Sequence, residues 1–233
     1  MQPILECKNL VKCYNSYYPA LNAIDLNFDR GRKIGLLGPN GSGKSTLMKL
    51  ANGLLVPTKG EILINGKAPD VHSKRVVAYL PERTYLPEWM KVSQALSYFA
   101  DFYDNFNRTK AEDMLRRLDI DLNMRIRTMS KGTREKVQLV LVMSREAELY
   151  LLDEPIGGVD PAARDYILET IFQNYNPGAT LVICTHLIYD IEKILDDVIF
   201  LNKGKVALQS SVREIYEGKG TTVDALFREE FRC

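Results

Sequence analysis

Short apolar runs recur along this chain, and most of them are bounded by glycine, proline or charged residues. Four of these runs have the length and composition of buried strands, at residues 33–37, 76–80, 149–153 and 180–184. Between and after them, apolar residues recur at the spacing of about 3.6 that is typical of amphipathic helices. Strands that alternate with helices predict a layered α/β fold with a parallel sheet.

Residues 84–148 break this alternation and predict consecutive helices instead. Two apolar stripes at helical spacing lie in the segment, Val92, Ala95, Leu96 and Phe99 in the first, and Met114, Leu115 and Leu118 in the second. Thr109 and Glu112 have the spacing of a capping box, so we expect the second helix to begin there. The segment is interpreted as a helical insert.

Alternating positions near the N-terminus, at residues 4–10, 23–28 and 61–64, are separated by turn residues and predict a small antiparallel sheet. Two further β-like runs, 197–201 and 206–208, flank a short turn and predict a hairpin. We expect one domain, in which residues 1–83 and 149–233 form a core with its β subdomain and residues 84–148 form an inserted helical subdomain.

The overall charge and the cysteine pattern exclude some classes of function. With 31 Lys and Arg against 30 Asp and Glu, the net charge of +1 creates no field that would attract nucleic acid or an anionic membrane. Cys7, Cys13, Cys184 and Cys233 form no C-x-x-C pair, which argues against a disulfide framework or a zinc site. No run approaches the roughly 20 apolar residues that cross a bilayer, and no secretory signal is recognisable. We expect a cytoplasmic chain without a nucleic-acid partner, and a membrane partner stays open.

A glycine-rich segment follows the predicted strand at residues 33–37 and precedes a helical pattern. It fits the motif G-x-x-x-x-G-K-[ST], in which backbone N–H groups and the start of the following helix face the phosphates of a nucleotide. We expect Lys44 to reach the β- and γ-phosphates, and the Ser45 hydroxyl to bind a Mg²⁺ ion that bridges phosphate oxygens. The residues predicted to contact the nucleotide in this segment are Gly38, Pro39, Asn40, Gly41, Ser42, Gly43, Lys44, Ser45 and Thr46.

Two adjacent carboxylates, Asp153 and Glu154, stand at the end of the run at residues 149–153. Asp153 is expected to hold Mg²⁺ through a bound water, as an acidic residue at the end of a buried strand does in phosphate-loop proteins. If the strand continues, Glu154 faces the opposite way and can accept a proton from an attacking water or orient it. The pair predicts hydrolysis of the nucleotide, and the alternative is a strand-terminal charge that only faces solvent.

Guanine recognition is not supported by the sequence. A GTPase would need the motif N-K-x-D, and the similar stretch from Asn202 to Lys205 ends in lysine and lies at the predicted hairpin turn. The choice among phosphate-loop families therefore depends on the other motifs of the chain.

Residues 129–133, about twenty positions before the strand that ends at Asp153, resemble the L-S-G-G-Q signature of ATP-binding cassette (ABC) proteins. Ser130 and Gly132 keep the hydroxyl and the close backbone approach of that signature, whereas Lys131 replaces a glycine and Thr133 a glutamine. A Ser-x-Gly stretch on its own is usually a helix cap. Other elements in the family order make the resemblance specific.

Three further residues stand where ABC proteins carry functional ones. The resemblance implies that Tyr14 stacks on adenine, that Asp160 is the carboxylate of the D-loop, and that His186 is the switch histidine. Taken singly, a tyrosine is more often a packing residue, His186 could cap a helix, and Asp160 could cap the helix that begins at the following proline. Together with the phosphate loop and the two carboxylates, they extend the resemblance over nearly the whole chain.

Glu82 departs from the family pattern, because most members carry the Q-loop glutamine at this point. With the Ser-Lys-Gly signature, it makes the chain similar to the ATP-binding subunits of ABC-2 type exporters and of multidrug or antibiotic-resistance systems. A carboxylate binds Mg²⁺ more strongly than an amide oxygen because of its charge. Glu82 is therefore expected to bind the metal together with Ser45 and Asp153.

The resemblance implies a phosphate-loop NTPase with a RecA-like core, a small N-terminal antiparallel β subdomain and an inserted α-helical signature subdomain. It also implies a head-to-tail dimer, either a homodimer or a heterodimer, in which Ser130 and Gly132 of one subunit complete the ATP site of the other. His186 is then expected to hold the γ-phosphate and to position water for Glu154.

The partners implied by the resemblance are a second ABC ATP-binding subunit and a transmembrane permease. They would place the chain peripherally on the cytoplasmic face of the membrane, where ATP hydrolysis would drive transport, with export favoured by the resemblance. Two alternatives stay open, a non-transport ABC ATPase that acts on DNA or ribosomes, and an ATP-binding regulatory cassette with little turnover.

Overall fold

Two β-sheets and the helices that cover them make up the part of the chain that is described. The structure, a computed structural model, describes residues 2–15, 18–157, 159 and 161–231. Its strands are β1 (Leu5–Cys13), β2 (Pro19–Phe28), β3 (Lys33–Leu37), β4 (Lys59–Ile64), β5 (Val77–Leu80), β6 (Leu149–Asp153), β7 (Thr180–Cys184), β8 (Asp197–Asn202) and β9 (Lys205–Ser211). Its helices are α1 (Lys44–Ala51), α2 (Ser73–Val76), α3 (Val92–Phe102), α4 (Arg108–Arg117), α5 (Lys131–Met143), α6 (Pro161–Asn174), α7 (Ile188–Ile191), α8 (Val212–Lys219) and α9 (Val223–Glu230), with 3₁₀ turns at Ile126–Thr128 and Glu192–Ile194.

The larger sheet has the strand order β5-β6-β7-β3-β8-β9 and is parallel except for β9, which pairs antiparallel with β8. Every residue of β6 and β7 is buried, as expected for parallel strands that are covered on both faces. The predicted strands β3, β6 and β7 are confirmed with the same bounds. Strand β5 begins one residue later than predicted, because Val76 ends helix α2.

The carboxyl ends of β3, β5, β6 and β7 lie at one edge of this sheet because the four strands are parallel. In an open α/β sheet, ligands bind outside the carboxyl ends of the strands. The segments that leave these four strands contain the phosphate loop, Glu82, Glu154 and His186. The fold therefore gathers most of the predicted site residues at a single edge.

The smaller sheet is antiparallel with the order β2-β1-β4, as predicted from the alternation near the N-terminus. Its strands are longer than the predicted segments. Residues Ile24, Leu26 and Phe28 of β2 are buried, and they belong to a core shared with Leu36 of β3 and Leu47 of α1. Apolar packing between the two sheets thus fixes the position of α1, which follows the phosphate loop.

The hairpin predicted around Asn202–Lys205 is confirmed, with Lys203 and Gly204 as the turn residues. Both have positive φ, 46° and 76°, as a two-residue turn of type I′ requires. Gly204 also contacts other segments, since its N–H donates to the Ser42 carbonyl at 3.0 Å and its carbonyl accepts from Asn22 N at 2.8 Å. The hairpin tip is therefore attached to the phosphate loop.

Helices α3, α4 and α5 occupy the segment at residues 84–148, as predicted. The predicted capping box of Thr109 and Glu112 is wrong. Asn107 caps α4 instead, because its Oδ1 accepts from Lys110 N at 3.0 Å, while Glu112 accepts from Arg108 Nε at 2.8 Å. Asparagine is a stronger N-cap than threonine, so the helix begins earlier than predicted.

Arg145 joins the helical segment to the larger sheet. It is buried, and its guanidinium donates to Val77 O at 2.8 Å, to Asn105 Oδ1 at 3.2 Å and to the Lys74 carbonyl. Its Cζ also lies 3.8 Å from the centroid of the Tyr103 ring, and burial lowers the pKa of Arg145. One apolar core runs from the helices into the sheet, so the division into a core and an inserted subdomain stays a prediction.

Candidate nucleotide site

A cavity of about 880 Å³ opens at the carboxyl edge of the larger sheet. Twelve predicted site residues line it, namely Tyr14, Asn40, Gly41, Ser42, Gly43, Lys44, Ser45, Thr46, Glu82, Asp153, Glu154 and His186. Gly38 and Pro39, at the start of the loop, do not line the cavity, and their carbonyl oxygens accept from Lys44. Asp160 lies outside the described residues.

Two glycines of the phosphate loop have no room for a side chain. A Cβ at Gly38 would lie 2.3 Å from the Leu201 carbonyl oxygen, and one at Gly43 would lie 2.5 Å from the Ala20 carbonyl oxygen. Gly43 also has a φ of 109°, which L-residues rarely adopt. As the N-cap of α1 it offers no side-chain acceptor, so the first N–H groups of that helix can face an anion.

Lys44 is buried and bridges the loop from inside. Its Nζ donates to Gly38 O at 2.6 Å and to Pro39 O at 3.0 Å. Across the described ranges, no carboxylate lies within ion-pair distance of this ammonium group. A buried cation held only by neutral oxygens is suited to a phosphate, because the phosphate would supply the missing negative charge.

Asp153 carries an oxygen that no neighbouring group satisfies. The side chain is buried, and Oδ1 has no hydrogen-bond partner among the described residues. Burial raises the pKa of Asp153, the hydrogen bond from Ser45 opposes that rise, and the charges of Glu82 and Glu154 add to it. An unpartnered carboxylate oxygen beside the Ser45 hydroxyl, in the field of two further carboxylates, fits a bound cation such as Mg²⁺.

Tyr79 does not line the cavity but lies close to the carboxylates of Asp153 and Glu82, a neighbourhood that the sequence did not reveal. Its hydroxyl is buried without a hydrogen-bond partner in the part of the chain that is described. Burial raises the pKa of Tyr79, and the charges of Asp153 and Glu82 raise it further, so the hydroxyl stays protonated. In the sequence, Tyr79 looks like any other residue of the short apolar strand β5. Only the structure shows that Asp153 and Glu82 lie near its hydroxyl.

Glu154 and His186 form a hydrogen-bonded pair. Nδ1 of His186 lies 3.1 Å from both Oε1 and Oε2 of Glu154. Strand β6 ends at Asp153, and Glu154 has a φ of 51°, so the turn rather than strand alternation directs its side chain. Gly157 leaves room for that turn, because a Cβ there would lie 3.2 Å from the Cβ of Glu154.

His186 does not cap a helix, since Leu187 is the N-cap of α7. Its side chain is 58% exposed, whereas that of Glu154 is 15% exposed. The ring can therefore reach outward into the cavity while Nδ1–H donates to the carboxylate. A carboxylate partner of this kind fixes the tautomer and the orientation of the imidazole.

Tyr14 lies beside the phosphate loop and not in a packed core. Its side chain is exposed, and its hydroxyl is 3.2 Å from Oγ1 of Thr46. Lys12 Nζ is 5.8 Å from the ring centroid. The arrangement leaves an aromatic face available close to the loop.

Ser130 and Gly132 do not line the cavity themselves, although Lys131, which lies between them, does. Ser130 is the N-cap of α5, and its Oγ accepts from Thr133 N at 3.1 Å. Both residues are exposed, and a Cβ at Gly132 would meet no atom within 4 Å. The two residues are therefore open to contact by another chain.

Gln138 is a cavity residue that the sequence analysis did not identify. It lines the cavity from helix α5 and is buried within the apolar stretch Val137–Met143. The sequence did contain one indication of this role, a single polar residue within an apolar stretch. A buried amide must find hydrogen-bond partners, so such a residue is expected to hold another segment of the chain.

Comparisons with known proteins agree with these features. Residues 21–157 match the family described as ABC transporter. The chain is 31% identical over 222 residues to an uncharacterized ABC transporter ATP-binding protein, YhaQ of Bacillus subtilis, covering 93% of this chain and 74% of that protein. It is 28% identical over 209 residues to the SkfA peptide export ATP-binding protein SkfE of the same organism, covering 87% of each.

A solved structure described as the ATP-binding subunit of an ABC transporter has the same fold. Its TM-score is 0.85 at 31% identity, and the match covers 97% of this chain and 98% of the other. No helix within the described ranges combines the length and the apolar content needed to cross a membrane.

Proposed function

This chain belongs to the ABC transporter family of ATP-binding proteins, and on that premise we propose that it is the ATP-hydrolysing subunit of an exporter. It would act as a dimer on a separate membrane permease, at the cytoplasmic face of the membrane. The observation that carries the proposal is the unpartnered Oδ1 of Asp153, which lies beside the Ser45 hydroxyl in the same cavity as the Glu154 and His186 pair.

Lys44 and the phosphate loop would bind the phosphates of ATP. Lys44 would exchange the carbonyl oxygens of Gly38 and Pro39 for β- and γ-phosphate oxygens, and the first N–H groups of α1 would face the same anion. The exposed ring of Tyr14 would stack on the adenine.

Ser45, Asp153 and Glu82 would hold Mg²⁺, which when bound supplies positive charge that neutralises the phosphates. Two observations support a cation at these residues, the unpartnered oxygen of Asp153 and the negative charges close to it. Over the residues that the structure describes, no three His, Cys, Asp or Glu side chains form a metal cluster by themselves. Phosphate oxygens and water would therefore complete the set of ligands.

Glu154 is the proposed base. Its carboxylate would accept a proton from the attacking water, while Nδ1–H of His186 holds that carboxylate in place. With a proton on both nitrogens, the ring would also donate from Nε2–H to the γ-phosphate. The pair thus connects proton transfer to the presence of the terminal phosphate.

A second subunit would complete each ATP site. Ser130 and Gly132 are exposed at the start of α5, on either side of Lys131, which lines the cavity, and this exposure supports a contact with nucleotide held by a partner. ATP would then favour the closed dimer, and hydrolysis would release it. A second copy of this chain and a related subunit both satisfy this arrangement.

A surface of exposed aromatic residues follows Glu82 along the chain. Tyr85, Trp89, Tyr98 and Phe102 form this surface, and the rings of Tyr98 and Phe102 lie 4.5 Å apart. Exposed apolar patches of this kind are typical of protein interfaces. We assign it to the permease, and the similarity to SkfE, a peptide export ATP-binding protein, supports the direction of transport.

Phosphate release by the purified chain and its permease tests the proposal, measured beside the variant Glu154→Gln. We expect the variant to lose about a hundredfold or more of the turnover, to keep ATP binding and to accumulate as an ATP-bound dimer. Equal release by both proteins would support the regulatory cassette instead. Stimulation by DNA or ribosomes, without a response to the permease, would support the non-transport ATPase.

A further inference from the structure

Gln138 connects helix α5 to both ends of the loop that contains Glu82. The side chain is 3% exposed, and each end of its amide has one partner. Nε2 donates to Pro81 O at 3.3 Å, and Oε1 accepts from Tyr85 N at 3.1 Å. One side chain therefore closes the loop of residues 81–85.

The loop has no other polar anchor of its own. Glu82, Arg83 and Thr84 are exposed, and within the described ranges their side chains form no hydrogen bond or ion pair. Strand β5 ends at Leu80, so the loop begins where the sheet no longer holds the backbone. The place of the Glu82 carboxylate near Asp153 thus depends on how Gln138 holds the loop.

Glu88, which follows the loop of residues 81–85, is bonded to residues near the start of α5. Arg134 NH1 lies 3.0 Å from Glu88 Oε1, and Arg127 N donates to Glu88 O at 3.0 Å. Helix α5 begins next to Ser130, which the proposed function places against the nucleotide of a partner subunit. The segment after β5 is therefore fixed to the helix that carries the signature residues.

We propose that Gln138 is a positioning residue, which holds the Glu82 carboxylate in reach of the metal at the phosphate loop. The inference rests on the proposed function, because it needs Glu82 to bind Mg²⁺. A purely structural role would predict only a loss of stability when the amide is removed.

The variant Gln138→Met keeps the length of the side chain and removes both hydrogen bonds. Ser144→Ala is the matched control, because Ser144 is a buried polar residue at the end of the same helix, and its Oγ contacts Met114 Sδ at 3.7 Å. Hydrogen exchange at the Tyr85 amide reports directly on the hydrogen bond that this amide donates to Gln138. We expect faster exchange in Gln138→Met and unchanged exchange in Ser144→Ala.

A Mg²⁺ titration of the binding of a fluorescent ATP analogue tests the effect on the site. We expect Gln138→Met to raise the Mg²⁺ concentration for half-maximal binding about fivefold, and to have no further effect in a Glu82→Ala background. Binding of the analogue without Mg²⁺ should change much less than binding with Mg²⁺, because Lys44 and the phosphate loop do not depend on Gln138. Ser144→Ala should leave the Mg²⁺ midpoint where it is.

The outcomes separate the inference from the proposed function. If Glu82→Ala shifts the Mg²⁺ midpoint and Gln138→Met does not, the positioning role is wrong and the metal role of Glu82 stands. An equal shift by Gln138→Met in both backgrounds also overturns the inference, since the residue would then act without Glu82. If Glu82→Ala has no effect, the metal role of Glu82 and the inference both fail, while ATP hydrolysis is judged from Glu154→Gln.

Discussion

Nδ1 of His186 lies 3.1 Å from each carboxylate oxygen of Glu154. The two residues come from the ends of neighbouring parallel strands, β6 and β7, and the backbone N–H of Glu154 donates to Cys184 O at 2.8 Å. The sheet therefore fixes the spacing of the pair before any nucleotide binds. Such preorganisation matters because a proton acceptor must already face its water in the transition state.

Replacing His186 with alanine should lower ATP turnover and leave ATP binding intact. The carboxylate of Glu154 would lose the donor that orients it, and we expect a fall of about tenfold to a hundredfold in kcat. The matched control is His72→Ala, since His72 is the other histidine of the chain and is exposed beside α2. A parallel measurement of phosphate release and nucleotide affinity checks the prediction, and equal activity of the two variants would contradict it.

Replacing Asp153 with asparagine should stabilise the nucleotide-free protein at neutral pH and abolish the dependence of ATP binding on Mg²⁺. Burial raises the pKa of Asp153, which means that the fold disfavours its ionised form. Asparagine removes that charge and can still accept from Ser45. The midpoint of thermal unfolding in EDTA should rise, by about 2–4 °C for each kcal/mol.

Asp197→Asn is a control in which the same substitution removes a carboxylate that is already paired. Its two carboxylate oxygens each accept from Arg32 at 2.7 Å, so loss of its charge weakens an existing ion pair. We expect the thermal midpoint to fall in this variant. A fall in Asp153→Asn as well would show that the carboxylate stabilises the fold, against the prediction.

Arg145→Met should lower the free energy of unfolding by roughly 3 kcal/mol, because it leaves buried carbonyls without a donor. The carbonyls of Val77 and Lys74 lose their partner in the variant. Arg145→Lys should recover only part of the loss, since one ammonium group cannot reproduce the fork of a guanidinium. Unfolding in urea measures the difference, and Arg228→Met, which removes an exposed pair with Asp224, should have little effect.

Glu214 should stabilise the start of α8 at neutral pH and lose this effect in acid. Its carboxylate accepts from Ser211 N at 3.1 Å and from Ser210 Oγ at 2.9 Å. These hydrogen bonds lower the pKa of Glu214, the one from Ser211 most, so its contribution is present above the ordinary carboxylate pKa and is lost as the pH falls through the lowered value.

The variant Glu214→Gln tests this pH dependence. The difference in thermal midpoint between it and the unsubstituted protein should be largest near neutral pH and should vanish as the pH falls through the lowered pKa of Glu214. Glu229→Gln, at an exposed position of α9, should differ little from the unsubstituted protein at either pH. A difference for Glu214→Gln that persists in acid would contradict the assignment.

The buried parallel strands could be predicted closely from the sequence. Strands β3, β6 and β7 are covered on both faces, and such strands appear as nearly uninterrupted apolar runs with sharp ends. The glycine-rich loop between β3 and α1 was equally clear, because the spacing of its motif and its place between a strand and a helix are specific. Local sequence therefore determines both features.

Other parts of the site depend on neighbours that are distant along the chain. Glu154 was expected to follow strand alternation, but the strand stops and a positive φ directs the side chain towards His186. Tyr79 and Gln138 resemble ordinary positions of a strand and a helix until Asp153 and the loop of residues 81–85 are placed beside them. Such roles arise from tertiary packing, which one sequence without a structure does not display.

The turn at Lys203 and Gly204 has a practical consequence for labelling this protein. A short surface hairpin is usually a tolerant place for an inserted tag or a fluorophore. Here the backbone of Gly204 is bonded to Ser42 and to Asn22, so an insertion would pull on the loop that surrounds the phosphates. Probes are better attached elsewhere, because this tip is bonded directly to the phosphate loop.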